Sequence, residues 1–369
     1  MPVLNLLEKN KCTYEEVSLG EVMLRLDPGE GRIRCARTFN AWEGGGEYNV
    51  ARALRKCFGL KTSVLTSFAK NEIGYLLEDL IMQGGVDTSY ILWRDTDGIG
   101  RSCRNGLNFT ERGFGLRGAV GCSDRANTAI SKTKAEDFAL EKLFAKEKVR
   151  WLHTGGIYSS LSEESCKTAV DVIRFAKENG TTVSYDLNYR PSLWNAIGGI
   201  EKARQVNKEI VSQVDVLFGN EEDFYACLGL ESGEDKNEDK NFSSINKERY
   251  EEMLRKTAEL YPNLKVIATT LRTVKSASVN DWSALCFAEG KIWRSREYNS
   301  LEILDRVGGG DSFASGLIYG LLAEKDMQTA LELGTAHGAL AMTTPGDTSM
   351  ARLSEVEALV SGKNARIIR

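Results

Sequence analysis

Short apolar segments, many rich in β-branched residues, alternate along most of the chain with longer segments whose apolar residues recur at helical spacing. The segments that predict strands are 17–19, 62–66, 151–153, 182–185, 214–218 and 266–269. The helical segments between them include 50–58, 74–83, 163–178 and 201–211. Strand and helix in repeated succession predict an α/β fold with a parallel sheet covered on both faces. Such sheets bind ligands beyond the carboxyl ends of their strands.

Two segments, 24–43 and 97–123, interrupt this alternation, because they are rich in arginine, glycine and aromatic residues and show no helical periodicity. Their aromatic residues include Phe39, Trp42, Phe109 and Phe114, which favour packing over disorder. We therefore expect an antiparallel flap, or lid, that projects from the main sheet. A third segment, 231–247, is acidic and almost without apolar residues, which predicts a solvated surface insertion with no chemistry.

Composition and charge restrict the function classes. The 369 residues carry a net charge of −4, which argues against non-specific binding of nucleic acid. The eight cysteines form no C-x-x-C pair and there are only two histidines, so we expect no zinc site. No apolar run approaches the roughly 20 residues that span a bilayer. The first residues are charged where a signal peptide needs an apolar core, so we expect a cytoplasmic protein without a membrane partner.

The strongest motif reads Asp-Arg-Val-Gly-Gly-Gly-Asp at 305–311 and runs directly into an apolar helical segment. Gly308, Gly309 and Gly310 allow close backbone approach, and the N–H groups at a helix start bind anions. Asp311 could simply cap the helix, although a cap does not require three preceding glycines. Backbone amides beside a carboxylate suit phosphoryl transfer, in which the carboxylate accepts a hydroxyl proton.

A second glycine segment, Gly-Gly-Gly-Glu-Tyr-Asn at 44–49, also leads into a predicted helix. It is either an ordinary turn before a helix or a wall of backbone against which a polyhydroxy ligand lies. In the second interpretation Gly44 and Gly45 form the wall, and Asn49 offers both a donor and an acceptor.

The segment Asp-Leu-Asn-Tyr-Arg at 186–190 follows a predicted strand. Asp186, Asn188 and Arg190 therefore converge where the ligand site of an α/β fold forms. Arg190 could bind a substrate carboxylate through two parallel hydrogen bonds. The structural alternative is a buried ion pair between Asp186 and Arg190.

Other phosphate-binding motifs are weaker. The chain contains no P-loop sequence, and the G-x-G-x-x-G match at 113–118 has no clear strand before it and no helix after it, so we interpret it as chance. The segment Asn-Glu-Glu-Asp at 220–223 could cap a helix, or its carboxylates could organise hydrated Mg²⁺ and nucleotide phosphates.

In this order, the segments 44–49, 186–190, 220–223 and 305–313 resemble the ribokinase-like (PfkB) carbohydrate kinases over about residues 17–357. Within that family, the segments 186–194, 270–272, 280–282 and 305–311 are most similar to 2-keto-3-deoxygluconate kinases. The resemblance implies one kinase domain over 1–369, a three-layer α/β/α sandwich with a small β-sheet lid. It also implies ATP as the phosphoryl donor and Mg²⁺ as its companion.

The resemblance further implies roles for single residues. Asp311 matches the catalytic base and Gly308–Gly310 the anion hole of that family. The implied substrate-binding residues are Gly44, Gly45, Asn49, Arg125, Asp186, Asn188 and Arg190, and the implied nucleotide-binding residues are Asn220, Asp223, Thr270, Arg272 and His337. Asp223 replaces the usual Glu of an Asn-x-x-Glu motif, so it would reach Mg²⁺ through an additional water. Activation by a monovalent cation such as K⁺ is common in the family, and Asp305 matches part of that site.

The lid departs from the pattern of ketodeoxygluconate kinases, which place tyrosines there to contact the substrate. In this chain the corresponding segments, 100–105 and 121–125, contain arginines and no tyrosine. Guanidinium groups desolvate poorly without an anionic partner, so the arginines favour an acidic sugar over a neutral one.

We therefore expect an ATP-dependent kinase that converts 2-keto-3-deoxygluconate (2-dehydro-3-deoxy-D-gluconate) to its 6-phosphate, with a small sugar acid as its partner. One alternative is a neutral ketohexose kinase of the fructokinase type, in which Arg125 and Arg190 serve the structure. Another is a sugar-binding regulator without turnover, against which the intact Asp311 and glycine triplet argue. The apolar lid residues also lead us to expect a homo-oligomer.

Overall fold

The computed structural model describes residues 3–230 and 247–362. Its strands are β1 (Glu16–Leu19), β2 (Met23–Asp27), β3 (Asn40–Gly44), β4 (Thr62–Ala69), β5 (Ile91–Arg94), β6 (Leu107–Glu111), β7 (Val120–Asp124), β8 (Trp151–Gly155), β9 (Thr182–Asp186), β10 (Val216–Phe218), β11 (Val266–Ser276), β12 (Val279–Ala288), β13 (Lys291–Arg294) and β14 (Tyr298–Glu302). Its helices are α1 (Gly46–Lys56), α2 (Glu72–Gly84), α3 (Gly156–Ser159), α4 (Glu163–Glu178), α5 (Pro191–Trp194), α6 (Gly199–Val211), α7 (Glu221–Leu228), α8 (Lys247–Leu260), α9 (Gly309–Leu322), α10 (Met327–Ala341) and α11 (Leu353–Val360).

The main sheet has the order β13-β12-β11-β10-β9-β8-β1-β4-β5, with β14 also paired to β12. From β11 to β5 every pairing is parallel, whereas β12 runs antiparallel to β11, β13 and β14. β1 lies between β4 and β8, with Ser18 opposite Val64 on one side and His153 on the other. The carboxyl ends of β1, β8, β9 and β10 therefore meet at one edge, where the connecting loops can form a site.

Helices cover both faces of this sheet, as the alternation predicts. One apolar core contains residues of α4, α6, α7 and α8, whose buried side chains include Ile173, Ile210, Phe224 and Leu254. A second core contains residues of α1, α9, α10 and α11, including Leu54, Leu317, Leu331 and Val356. Because the sheet is covered on both faces, every residue of β1, β4 and β8 is buried, including polar ones such as Ser18 and Thr66. The predicted three-layer α/β/α sandwich is confirmed.

The lid is a separate four-stranded sheet in the order β3-β2-β6-β7. Two of its strands, β2 and β3, lie at the ends of the predicted segment 24–43, and β6 and β7 form the middle and the end of the predicted segment 97–123. The lid is not wholly antiparallel as predicted, because β2 and β6 at its centre are parallel. All five residues of β7 are exposed, so this edge strand covers no core of its own.

Several element boundaries differ from the predicted ones. α1 begins at Gly46 and not at residue 50, because the second glycine segment itself enters the helix. The match at 113–118 lies in the turn between β6 and β7, where Phe114 and Arg117 bond each other, and no helix follows it. The predicted insertion at 231–247 lies outside the described residues, apart from Lys247 at the start of α8. Over residues 3–230 and 247–362, no helix is both long and apolar enough to span a membrane.

Candidate active site

Asp311 lies in the first turn of α9, where the N-terminal cap position is taken by Gly308. Its Oδ2 accepts a hydrogen bond of 2.7 Å from Nδ2 of Asn49, which projects from α1. No backbone amide of the described residues donates to the Asp311 side chain. The carboxylate therefore faces the neighbouring helix start and does not cap its own, which leaves its second oxygen available for chemistry.

The surroundings of Asp311 favour its protonated form more than water does. Burial is the main cause, and the Asp347 and Glu47 carboxylates add to it, while Asn49 and the Arg190 guanidinium act in the opposite direction; together they raise the pKa of Asp311 to about 7. A general base works best when its pKa lies near the operating pH. Asp311 is therefore suited to accept a hydroxyl proton near neutral pH.

The glycine triplet forms a turn that only glycine at its first position can adopt. Gly308 has φ = +79°, and a Cβ placed there would lie 1.9 Å from the carbonyl oxygen of Asp347. No atom outside the immediate backbone lies within 4 Å of the corresponding position on Gly310, so this side of the turn is open. Since the turn opens into a helix of 14 residues, its free N–H groups and the helix dipole present an anion site.

The second glycine segment lies across from this turn. A Cβ on Gly46 would lie 3.6 Å from Nδ2 of Asn188 and 3.7 Å from Oδ1 of Asp311. Gly46 thus joins three of the motifs that the sequence singled out separately. Gly45 approaches the backbone so closely that a Cβ would lie 2.0 Å from the carbonyl oxygen of Glu21. The glycine segment predicted to form a backbone wall therefore lies beside the Asp311 carboxylate.

The segment 186–190 brings further charge to the same edge. Burial is the main cause that raises the pKa of Asp186 to about 8, with contributions from the Asp223 and Asp311 carboxylates. Arg190 is exposed, and its Nη1 donates to the carbonyl oxygen of Tyr189 at 2.9 Å. Arg190 forms no ion pair within 4.0 Å in the described part of the chain. The alternative of a buried pair with Asp186 is therefore not what the structure shows.

Asn220 and Asp223 form a capping box at the start of α7. Oδ1 of Asn220 accepts from the Asp223 amide at 3.1 Å, and Oδ2 of Asp223 accepts from the Asn220 amide at 2.9 Å. Oδ1 of Asp223 also accepts from the Tyr189 amide at 2.8 Å. The structure thus shows the helix cap, and the Tyr189 contact ties α7 to the segment that carries Asp186 and Arg190, while the role at Mg²⁺ and phosphates stays a prediction.

The other three residues predicted to bind nucleotide differ in their exposure to solvent. Thr270 and Arg272 lie on β11, and Arg272 is exposed near a second exposed arginine, Arg306, which follows Asp305 in the glycine motif. His337 is fully buried. We correct the expectation that His337 contacts nucleotide, since the ring is enclosed and both of its nitrogens already have partners. Those partners are the Ser315 hydroxyl, the Ser312 carbonyl and the Ser349 hydroxyl.

Arg125 also differs from the expectation, because its guanidinium is paired with a buried carboxylate of the protein. Nε of Arg125 donates to Oε2 of Glu21 at 2.8 Å, and Nη2 contacts the same oxygen. Glu47 lies near this pair, and burial above all raises its pKa to about 7. The sequence analysis named neither Glu21 nor Glu47 nor Asp347 as site residues. Glu47 had one usable signal, its position inside the 44–49 motif, whereas nothing local marks Asp347.

The sequence profile of the pfkB family carbohydrate kinases matches residues 16–353. The chain belongs to this family. A 2-dehydro-3-deoxygalactonokinase from Haloferax volcanii is 29% identical over 358 residues, 97% of this chain and 100% of that protein. A 5-dehydro-2-deoxygluconokinase from Bacillus licheniformis is 25% identical over 95% of this chain and 97% of that protein. The crystal structure of a 2-dehydro-3-deoxygluconokinase from Thermotoga maritima is 37% identical, with a TM-score of 0.84 over 94% of this chain and 99% of that one.

The chain is thus a phosphotransferase of ribokinase-like fold that acts on a small sugar molecule. Kinases of this family use ATP with Mg²⁺. The residues present fit this pair of ligands. The open glycine turn and the adjacent Arg272 and Arg306 suit a polyphosphate. Among the described residues no group of three or more His, Cys, Asp or Glu is arranged to hold a metal ion.

Proposed function

We propose that this kinase phosphorylates the 6-hydroxyl of 2-keto-3-deoxygluconate or of a closely related six-carbon keto-deoxy sugar acid. The observation that carries the proposal is the pairing of Asp311 with Asn49 directly beside the open glycine turn at the start of α9. A proton acceptor and an anion site next to each other are the two groups that phosphoryl transfer to an alcohol requires.

In the proposed mechanism, Asp311 accepts the proton of the sugar hydroxyl while the bond between that oxygen and phosphorus forms. The bond between phosphorus and the leaving oxygen of ADP breaks at the same centre. The amides of Gly308–Gly310 donate to the oxygens of the transferred group, on which negative charge is concentrated in the transition state. Asn49 holds the carboxylate through Oδ2 and leaves Oδ1 directed to the side where Gly46 and Asn188 lie.

Mg²⁺ supplies charge neutralisation and alignment of the phosphates when it is bound. In this chain Asp223 would act on it only through water, because both of its oxygens accept backbone hydrogen bonds and it is 4% exposed. Asn220 is exposed beside it. We therefore assign Asn220 and Asp223 to the position of the phosphates and their hydrated metal. We assign Thr270 and Arg272 to the nucleotide.

Arg190 supports an acidic substrate. It is exposed and pairs with no carboxylate of residues 3–230 or 247–362, yet its charge acts on the Asp186, Asp223 and Asp311 carboxyls of the site. A guanidinium in this position can bind a substrate carboxylate through two hydrogen bonds. The names of the relatives from Haloferax volcanii and Thermotoga maritima, which act on keto-deoxy sugar acids, agree with this choice.

One observation favours a second candidate, a neutral ketohexose kinase. Arg125, the other arginine expected to contact the acid group, already donates from Nε and Nη2 to the buried Glu21 carboxylate, which neutralises its charge and weakens its attraction for a substrate anion. A site with one free arginine discriminates less strongly between acidic and neutral sugars than a site with two.

A coupled assay of ADP release tests the proposal with 2-keto-3-deoxygluconate, its galactonate epimer and fructose. We expect kcat/KM for at least one sugar acid to exceed that for fructose by roughly tenfold or more, the value of one charge-assisted contact. Asp311→Asn protein purified in parallel controls for contaminating kinases. Equal rates on fructose support the neutral-sugar kinase, and no ADP release with any sugar would overturn the proposal.

A further inference from the structure

The lid strand β2 carries a buried arginine that no motif of the sequence marks. The side chain of Arg25 is 0% exposed. Its Nη2 donates to Oδ2 of Asp305 at 2.5 Å and to Oδ2 of Asp27 at 3.0 Å. Its Nη1 donates to Oδ1 of Asp347. One guanidinium therefore joins three carboxylates, two of which lie about 300 positions away in the sequence.

The two distant carboxylates belong to the two segments that shape the glycine turn. Asp305 begins the loop that leads to Gly308, and its Oδ1 accepts from the Val307 amide at 3.1 Å. The carbonyl oxygen of Asp347 lies against Gly308 at a distance that excludes any side chain there. The Asp347 carboxylate also lies against Gly44 at the end of lid strand β3. Arg25 thus holds both neighbours of the turn and connects them to the lid.

The cluster contributes little net stability for the number of charges that it buries. Three buried carboxylates face Arg25, and among the described residues only one other cation, Arg112, pairs with any of them, with its Nε 3.4 Å from Oδ2 of Asp27. Buried ion pairs lose much of their Coulomb energy to desolvation, and apolar residues of similar volume often stabilise a core as well. What such a cluster supplies that an apolar core does not is a fixed, directional geometry.

We propose that Arg25 is a positioning residue for phosphoryl transfer, which holds Gly308–Gly310 in the shape that receives the transferred group by tying the turn to the lid. The proposal rests on the proposed function of the glycine turn. Arg25 touches no substrate in this scheme; it acts through Asp305 and Asp347. Opening of the lid would loosen the turn, so that the anion site is complete only when β2 is in place.

Two changes to the cluster separate positioning from protonation. Arg25→Lys keeps the positive charge but can no longer bond three carboxylates with one planar group. Arg25→Gln combined with Asp347→Asn removes one charge of each sign, so that the net charge of the cluster is unchanged. Arg112→Gln is the matched control, because Arg112 contacts Asp27 of the same cluster but reaches neither loop of the turn.

We expect kcat to fall roughly 10- to 100-fold in Arg25→Lys and in the double variant, as displacement of a positioned group by about 1 Å does. KM for the sugar should change by less than about threefold, since no binding contact is lost. Arg112→Gln should keep the wild-type kcat. Wild-type kcat in the double variant, or an equal loss in the Arg112→Gln control, would overturn the proposal.

The pH profile distinguishes this role from an effect on the base. The charged groups around Asp311 are the Asp347, Glu47 and Asp186 carboxyls and the Arg190 guanidinium. Arg25→Lys removes none of these groups and keeps a positive charge beside Asp347, so the acidic limb of kcat should stay in place while its plateau falls. The double variant removes the Asp347 charge, and its acidic limb should move to lower pH. A shifted limb with an unchanged plateau in Arg25→Lys contradicts positioning.

Hydrogen exchange gives a readout that does not depend on turnover. Amides of 305–312 should exchange faster in ligand-free Arg25→Lys than in wild type, and those of Arg112→Gln should not. Unchanged exchange over 305–312 overturns the proposal even if the variants denature at lower temperature. If the wild type phosphorylates no sugar of the panel, the proposed function fails separately, and the exchange result still decides whether Arg25 holds the turn.

Discussion

At the scale of single residues, replacement of Asp311 tests whether its carboxylate accepts the proton of the sugar hydroxyl. Asp311→Asn should lower kcat by roughly 10²- to 10⁴-fold, because Asn cannot accept the proton. KM should change little, since Asn keeps the hydrogen bond from Asn49. A variant that retained more than about half of the wild-type kcat would remove Asp311 from the mechanism.

The raised pKa of Asp311 also predicts a pH dependence. In the wild type the rate should fall as the pH drops below about 7, where the carboxyl becomes protonated. Stability should change in the opposite direction. A carboxyl whose folded pKa exceeds its unfolded value stabilises the fold at low pH and loses that contribution as the pH rises to about 7. Asp311→Asn should therefore have a higher Tm than wild type at pH 8, with a smaller difference at pH 5; melting curves at both values check this.

The proposed contact between Arg190 and a substrate carboxylate can be tested by substitution. Arg190→Lys keeps the charge but loses the planar two-pronged contact, so KM for a sugar acid should rise roughly 10- to 150-fold, or about 1.5–3 kcal/mol. Fructose turnover should hardly change. Steady-state kinetics on both sugars are the measurement, with Arg125→Lys as the contrasting variant. Because Arg125 is paired with buried Glu21, its replacement should lower the Tm and affect both sugars equally. Equal losses on both sugars in Arg190→Lys would favour the neutral-sugar kinase.

At the scale of elements, the start of α7 combines a structural and a functional role. Asn220→Ala removes one N-terminal cap, which costs about 1 kcal/mol. If the same loop positions the phosphates, kcat should fall more than this stability loss explains. Asp326→Ala, which removes the side-chain cap of α10 beyond the far end of the 14-residue helix α9, is the control and should leave kcat unchanged. Parallel kinetics and melting curves that show the same kcat in both variants would limit Asn220 to capping.

At the scale of the whole molecule, the lid should respond to the sugar. The turn between β6 and β7 touches the β11–β12 turn through a 2.8 Å hydrogen bond from the Gly115 amide to Oγ of Ser278. The Ala277 amide donates to the Gly115 carbonyl at 2.9 Å. With only such contacts at its tip, the lid should open more readily than the main sheet. Saturating sugar should slow amide exchange over 107–124 and leave 163–178 unchanged; no change over 107–124 would contradict the role of this sheet as a lid.

The sequence by itself determined the features whose cause is local. Apolar periodicity set the succession of strands and helices, and hence the three layers, because burial on both faces of a parallel sheet demands that pattern. The motifs at 44–49 and 305–311 could be recognised because a sharp turn and a close backbone approach require glycine wherever the chain folds. The carboxylate at position 311 and the arginine at 190 followed from their place after these elements.

Only the tertiary structure decided which groups have partners, since a partner distant in sequence leaves no local pattern. The sequence suggested that Arg125 is free to bind substrate, but the fold pairs it with Glu21. It also suggested that His337 can contact nucleotide, but the fold buries this side chain in the core. Arg25 lies in a strand whose sequence contains no recognisable motif, and only the fold brings it to Asp347, 322 positions later in the chain. The pKa of Asp311 depends on the same assembly, because desolvation and the field of neighbouring carboxylates arise when the separate segments converge.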